Sequence, residues 1–203
     1  MRRTLVANLL AGLTLTATLI SGGSPASGVS LGTGSSPDTV PATGAFSFTT
    51  GNGILPTWTS DDIVLIGVSP GAVTTAPSNL NARVTLPIVA KTGSANAAAG
   101  GFRLYNTKSG LGIRCSSPTI DTRARVVDCV LPTGKNAALL SIRSIASVSQ
   151  VKGSSTVTTI YRGMILRING QVMADLLNTA LDTTTFSPYV TVGSGDLIVT
   201  IDK

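Results

Sequence analysis

The chain has 203 residues, 42% of them hydrophobic and only 12% charged; that is enough for one sizeable core and too apolar for wholesale disorder. Its nine acidic residues are all Asp; it contains no Glu and no His, and its formal charge is +6. Without His there is no Ser-His-Asp or Cys-His nucleophile and no His-based zinc centre.

Arg2 and Arg3 are followed by a charge-free run from Thr4 to Ile20 and then by the small residues Ser21 to Ala26. That order of regions predicts a signal peptide over residues 1–26, cleaved after Ala26, rather than a retained anchor. Its removal takes the 15 basic residues to 13 against 9 acidic ones, a formal +4. A secreted or cell-surface destination follows, with no stable transmembrane anchor. Residues 27–44 are rich in Ser, Gly, Thr and Pro and read as a flexible stalk. Val40-Pro41-Ala42-Thr43-Gly44 resembles a sortase signal, but far from the C-terminal position such a signal needs. Residues 45–203 are expected to form a single β-rich domain, because β-branched residues abound and Glu and Lys are scarce.

Ile63 to Val68 is apolar at both parities and predicts a central strand. Val84, Leu86 and Ile88 alternate with Arg83, Thr85 and Pro87; Pro87 cannot donate to a ladder, which places this strand at a sheet edge. Phe102 and Leu104 alternate with Arg103 and Tyr105. Further on, Ile160, Arg162, Met164, Leu166 and Ile168 share one parity and are expected to face the core. Gln171 to Leu181 carries two apolar rows, Val172/Leu176/Ala180 and Met173/Leu177/Leu181, with Asn169 before them as N-cap; this is the one predicted helix. Many short strands with frequent turns predict a mainly β fold, an immunoglobulin-like antiparallel β-sandwich with one short α-helix near the C-terminus.

Cys115 and Cys129 flank Asp121-Thr122-Arg123. A three-residue turn there places the two cysteines directly opposite each other, Ile113 opposite Leu131 and Ser117 opposite Val127. That predicts a disulfide across a hairpin, in keeping with two cysteines in an exported chain. Two Cys without His are too few soft ligands for a metal.

No phosphate-binding loop or Gly-x-Ser-x-Gly elbow is present. The sole adjacent carboxylate pair, Asp61-Asp62, points to opposite faces if it lies in a strand. The chain is therefore expected not to be an enzyme but to act by binding, adhesion or display. Arg103, Lys108, Arg114, Arg123 and Arg125 crowd one stretch and form a candidate basic surface for an anionic cell-envelope polymer. Tyr105 alone interleaves with them, too few aromatics for stacking bases, so nucleic acid is not expected. Self-association is a further candidate.

Gly100-Gly101-Phe102-Arg103-Leu104-Tyr105, Gly110-Leu111-Gly112-Ile113 and Ser117-Pro118-Thr119-Ile120-Asp121 together resemble the central strands of HtaA-type domains. These occur in secreted and surface proteins of actinobacteria. Leu166 to Ile201 is similar too: a strand, a short helix holding Ala174-Asp175-Leu176-Leu177-Asn178, Phe186 and a closing strand. The resemblance implies a β-rich binding protein at the cell surface and, in some members, haem held by a Tyr that a His supports. With no His, only Tyr105, Tyr161 and Tyr189 are available as axial ligands. Tyr105 and Tyr161 are the candidates carried forward, with no cofactor expected other than haem.

Overall fold

The computed structural model describes residues 38–76, 78 and 80–203. The expected signal peptide, and the expected stalk before Asp38, lie outside the described residues. Thr39 to Gly44, read from sequence as the end of the stalk, are strand residues apart from Ala42.

Thirteen strands and two helices follow in chain order. β1 is Thr39–Pro41, β2 Thr43–Thr50, α1 Ile54–Ser60, β3 Ile63–Val68, β4 Ala72–Thr75 and β5 Ala82–Thr92. β6 is Ala95–Ala98, β7 Gly101–Asn106, β8 Gly112–Asp121, β9 Val126–Val130 and β10 Asn136–Ser144. β11 is Ser147–Lys152, β12 Thr156–Ile168, α2 Gly170–Leu181 and β13 Thr191–Asp202. The pairings are antiparallel. They run β5-β2-β13-β12-β10-β9-β8, and β6 bridges β8 back to β5, so eight strands close a ring.

The molecule is therefore an eight-stranded antiparallel β-barrel, and the expected immunoglobulin-like sandwich is wrong. Closure depends on β6, whose sequence is Ala-Asn-Ala-Ala. It carries no β-branched or large apolar residue, so nothing in its composition announces a strand. A sandwich leaves sheet edges open; this short strand removes them by pairing with Lys91 and Ile120 on either side of Asn96. Phe46, Leu86, Ile120, Val127, Met164 and Leu197, from six different ring strands, are fully buried in the core.

A second layer grows from the barrel. β8 pairs with β7 through its first half and with β6 through its second, and β3 pairs with β7. The switch falls at Ser116–Thr119, where the register shifts and Ser117 has φ 43°. β3 ends this branch of the sheet and is not the central strand its composition suggests. Its double-sided apolar character has another source: Ile63 is buried and Leu65 packs against the core on the inner side, while Ile66 is 44% exposed on the outer one.

Pro87 does not mark an edge either, because β5 has β2 on one side and β4 and β6 on the other. Its missing N–H falls in the gap between the end of β4 and the start of β6. Only its carbonyl is used there, accepting from the Ala99 amide at 2.9 Å.

Along β12 the expected parity holds for Met164, Leu166 and Ile168, which are buried. It fails for Ile160 and Arg162. Between Tyr161 and Met164 the register with β13 shifts, at Gly163 with φ 62°. The extra residue of this bulge swaps faces. Tyr161, paired with buried Leu197, thus packs toward the core, and Arg162 points to solvent, 3.8 Å from Asp196.

α2 matches the expected helix to within one residue. Its buried residues are Met173, Ala174, Leu177 and Leu181. One predicted row is therefore the core row, while Val172 from the other is exposed. Asn169 occupies the N-cap position but makes no capping bond; its side-chain amide donates to Ala138 instead. Asn106 donates to the Leu181 carbonyl at 2.8 Å and ties the helix end to β7. The short helix α1, unforeseen from sequence, buries Leu55 and Trp58, and Trp58 stacks at 5.7 Å on Phe186. Asp61, its C-cap, accepts from the Thr185 hydroxyl. Asp62 follows in a left-handed turn, so this carboxylate pair ends a helix.

Candidate functional site

The disulfide Cys115–Cys129 is present, with Cα atoms 4.9 Å apart. Its register differs from the symmetric hairpin expected from sequence. Asp121 pairs with Val126 and Ile120 with Val127, so the turn has four residues, Thr122 to Arg125. Ser116 pairs with Val130 beyond the bulge. Ile113 and Ser117 thus do not face Leu131 and Val127. The cysteines sit on a diagonal, and the irregular Ser116–Thr119 segment draws them within bridging distance.

Two concavities adjoin β7, the strand that carries Arg103 and Tyr105. The first lies inside, among Phe48, Trp58, Phe102, Leu104, Leu177 and Phe186, and offers about 20 Å³. That is room for about one water molecule, in purely apolar walls. The second is an open groove of about 470 Å³ on the outer face of β3, β7 and β8, lined by Ile66, Gly67, Val68, Arg103, Gly112, Arg114 and Pro132. Its size falls within the range of small-molecule sites.

The groove is built by strand alternation. Phe102, Leu104 and Asn106 of β7 are buried, which turns Arg103 and Tyr105 outward. Ile113 and Cys115 of β8 are buried, which turns Gly112 and Arg114 outward. Register then sets the rows: Ile66 opposite Arg103, Arg103 opposite Arg114, and Tyr105 opposite Gly112. The Arg103 guanidinium lies 4.4 Å from the centroid of the Tyr105 ring. A Cβ on Gly112 would sit 2.8 Å from Arg103 Nε. The bare glycine therefore leaves the space that the guanidinium occupies over the tyrosine ring.

Two like charges placed directly across strands repel. Among the described residues the ion pair is Arg162 with Asp196, on another face, and no carboxylate answers Arg103 or Arg114. The groove thus combines an apolar rim with two unneutralised guanidiniums in adjacent register positions.

The other candidate residues are dispersed. Lys108 is exposed in the β7–β8 turn, near the Tyr105 end of the groove. Arg123 and Arg125 lie in the β8–β9 turn, at the far end of a strand of ten residues, which spans roughly 30 Å. The five basic residues do not form one patch. Arg125 donates to the Arg143 carbonyl, and Arg123 lends its charge to Asp121. Tyr161 is half-buried between Val148 and Leu197 and does not reach the groove. Tyr189 is 59% exposed beside α2, with Arg167 at 5.2 Å over its ring. Of the three tyrosines only Tyr105 adjoins the groove. Sequence alone flagged Arg103, Arg114 and Tyr105 but not Ile66, Gly112 or Pro132, which become neighbours only through strand pairing.

Among the described residues three ionisable groups are shifted. Burial, and then repulsion by Asp121, holds the Asp128 carboxyl above its usual range. Asp121 is lowered although burial opposes this, because the Ala124 and Arg123 amides, the Ser94 hydroxyl and the Arg123 charge stabilise its carboxylate. Burial lowers Lys91, and the attraction of Asp121 offsets part of that.

No family model matches the chain, and no curated protein matches it. Among solved structures it is similar to the haem-binding protein HtaB from Corynebacterium glutamicum. The identity is 13% and the TM-score 0.47, over 82% of this chain and 96% of that one. This is a loose likeness, and no residue role is carried across from it. No helix among the described residues is long and apolar enough to cross a membrane.

Proposed function

We propose that the chain is a non-catalytic binding domain working outside the cytoplasm, and that the groove over β3, β7 and β8 holds an amphipathic anion. The apolar body of the ligand lies against Ile66, Val68 and Pro132, and its carboxylate or phosphate groups meet Arg103 and Arg114. The observation that carries this reading is the directly opposed arginine pair, without a carboxylate partner, in a groove that also presents Ile66, Val68 and Pro132. An anion between them turns mutual repulsion into two charge-assisted contacts.

Haem has this chemistry: a flat apolar ring with two carboxylates. The residues present fit its carboxylates and ring in kind, and Tyr105, which adjoins the groove by pairing with Gly112, would be the phenol oxygen nearest to an iron held there. When bound, haem would supply a redox-active or transportable iron. The interior cavity, at about 20 Å³, cannot take such a ring. The disulfide fits an oxidising compartment.

The test uses protoporphyrin IX, which has the ring and the carboxylates but no iron, followed by fluorescence. Replacing Arg103 and Arg114 by Ala should weaken binding by about 100-fold or more, since each of the two contacts is a hydrogen bond to a charged group contributing roughly 1.5–3 kcal/mol. Unchanged affinity in the double variant would overturn the proposal. So would tight binding of an anionic wall polymer by a protein that ignores the porphyrin; the envelope-polymer reading would then take its place.

A further inference from the structure

Beyond the arginine groove, the outer face of β8 and β9 carries a second cleft, of about 350 Å³, lined by Ser117, Thr119, Asp128, Val130 and Asn136 beside Cys129. Its polar members are brought together by the same bulge that draws the cysteines close. Thr119 pairs directly with Asp128, and Asn136 pairs with Val130.

These polar side chains share an omission. Among the described residues, none of Ser117, Thr119, Asp128 and Asn136 makes a side-chain hydrogen bond, and Asp128 has no cationic partner. Asp121, one bulge-free step along the same hairpin, shows what a satisfied carboxylate looks like here: its Oδ1 accepts from the Arg123 and Ala124 amides and from Ser94. Asp128 has nothing comparable, although it is partly desolvated and close enough to Asp121 to feel its charge. Asp128 and Thr119 are half-buried while Ser117 and Asn136 are exposed, so the cleft opens to solvent with its acceptors unengaged by the protein and free to meet a ligand.

We propose that this cleft is a binding site for the ammonium group of an amine-bearing ligand, with Asp128 as counter-ion. An ammonium has one charge and three N–H donors. The cleft offers one carboxylate, two hydroxyl oxygens and an amide oxygen as acceptors. A hard divalent cation is a poorer match, because it asks for six or more oxygens, several of them charged. Among the described residues no group of three or more His, Cys, Asp or Glu stands together.

The experiment is an amide NMR titration of the purified protein with glucosamine, N-acetylglucosamine and calcium chloride in separate arms. Glucosamine should give saturable shifts at Thr119, Asp128, Cys129 and Asn136. N-acetylglucosamine, the same ring with its amine masked, should not. Asp128→Asn, which keeps the side chain's shape, should weaken glucosamine binding at least tenfold while leaving the rest of the spectrum in place. Equal shifts with both sugars would show hydroxyl recognition and overturn the proposal. Shifts with calcium alone would overturn it in favour of a metal ion, and no shift at these residues in any arm would overturn it outright.

Discussion

Replacing both Cys115 and Cys129 with Ala isolates what the disulfide contributes. The bridge joins residues 14 apart. In the chain-entropy model, closing a loop of that length removes enough freedom from the unfolded chain to stabilise the fold by about 3 kcal/mol. Both cysteines are buried, at 2% and 1% exposure, so the Ala pair also leaves a small void in the core and adds to the loss. For a domain of this size each kcal/mol moves the melting temperature by roughly 2–4 °C, which puts the expected fall at about 6–12 °C. Scanning calorimetry of the oxidised protein, the reduced protein and the double variant measures it. The native sheet should survive, because β8 remains paired with β7 and β9 with β10. A double variant that melts within about 2 °C of the oxidised protein would refute the reasoning, since the bridge would then close nothing the fold does not already hold.

Gly163→Ala should destabilise by about 1–3 kcal/mol, because φ is 62° and the new Cβ would lie 2.8 Å from that of Ala146; chemical denaturation reads the change. Asp128→Asn should raise the melting temperature at pH 7. The folded carboxyl has its pKa raised, so the ionised form disfavours folding above that pKa, and the advantage of the variant should shrink as pH falls through it. Asp121 has the opposite sign. Its lowered pKa contributes stability above the ordinary carboxylate range that is lost as pH falls through the folded value, so Asp121→Asn should cost stability at pH 7 and converge with wild type in acid.

Much of the fold was legible where local pattern and tertiary context agree. The α2 stripe, the alternation of Phe102, Arg103, Leu104 and Tyr105, and the pairing of two cysteines could all be read directly. Bulges defeated the rest. An isolated Gly in a strand pattern is a bulge signal, so Arg162-Gly163-Met164 could have warned that parity changes there. Pro118 was a comparable signal, since a proline inside a strand sits at an edge or a bulge, and the irregularity there shifted the hairpin register while keeping the bridge. Barrel closure was hidden because β6 is nearly all Ala, and strand identity there comes from its neighbours' unpaired edges rather than from its own side chains. The groove was half legible. Alternation turned Arg103 and Tyr105 to one face, but placing Arg114 opposite Arg103 and Ile66 beside them needed the register of three strands.

Mapping bound protoporphyrin IX on the protein's amide NMR spectrum locates the ligand site. Saturable shifts are expected at Ile66 to Val68, Arg103 to Tyr105, Gly112 to Arg114 and the residues flanking Pro132, all abolished when Arg103 and Arg114 are Ala. Shifts centred on Tyr161 or Tyr189, or a map that the double variant leaves unchanged, would contradict a site in the arginine groove.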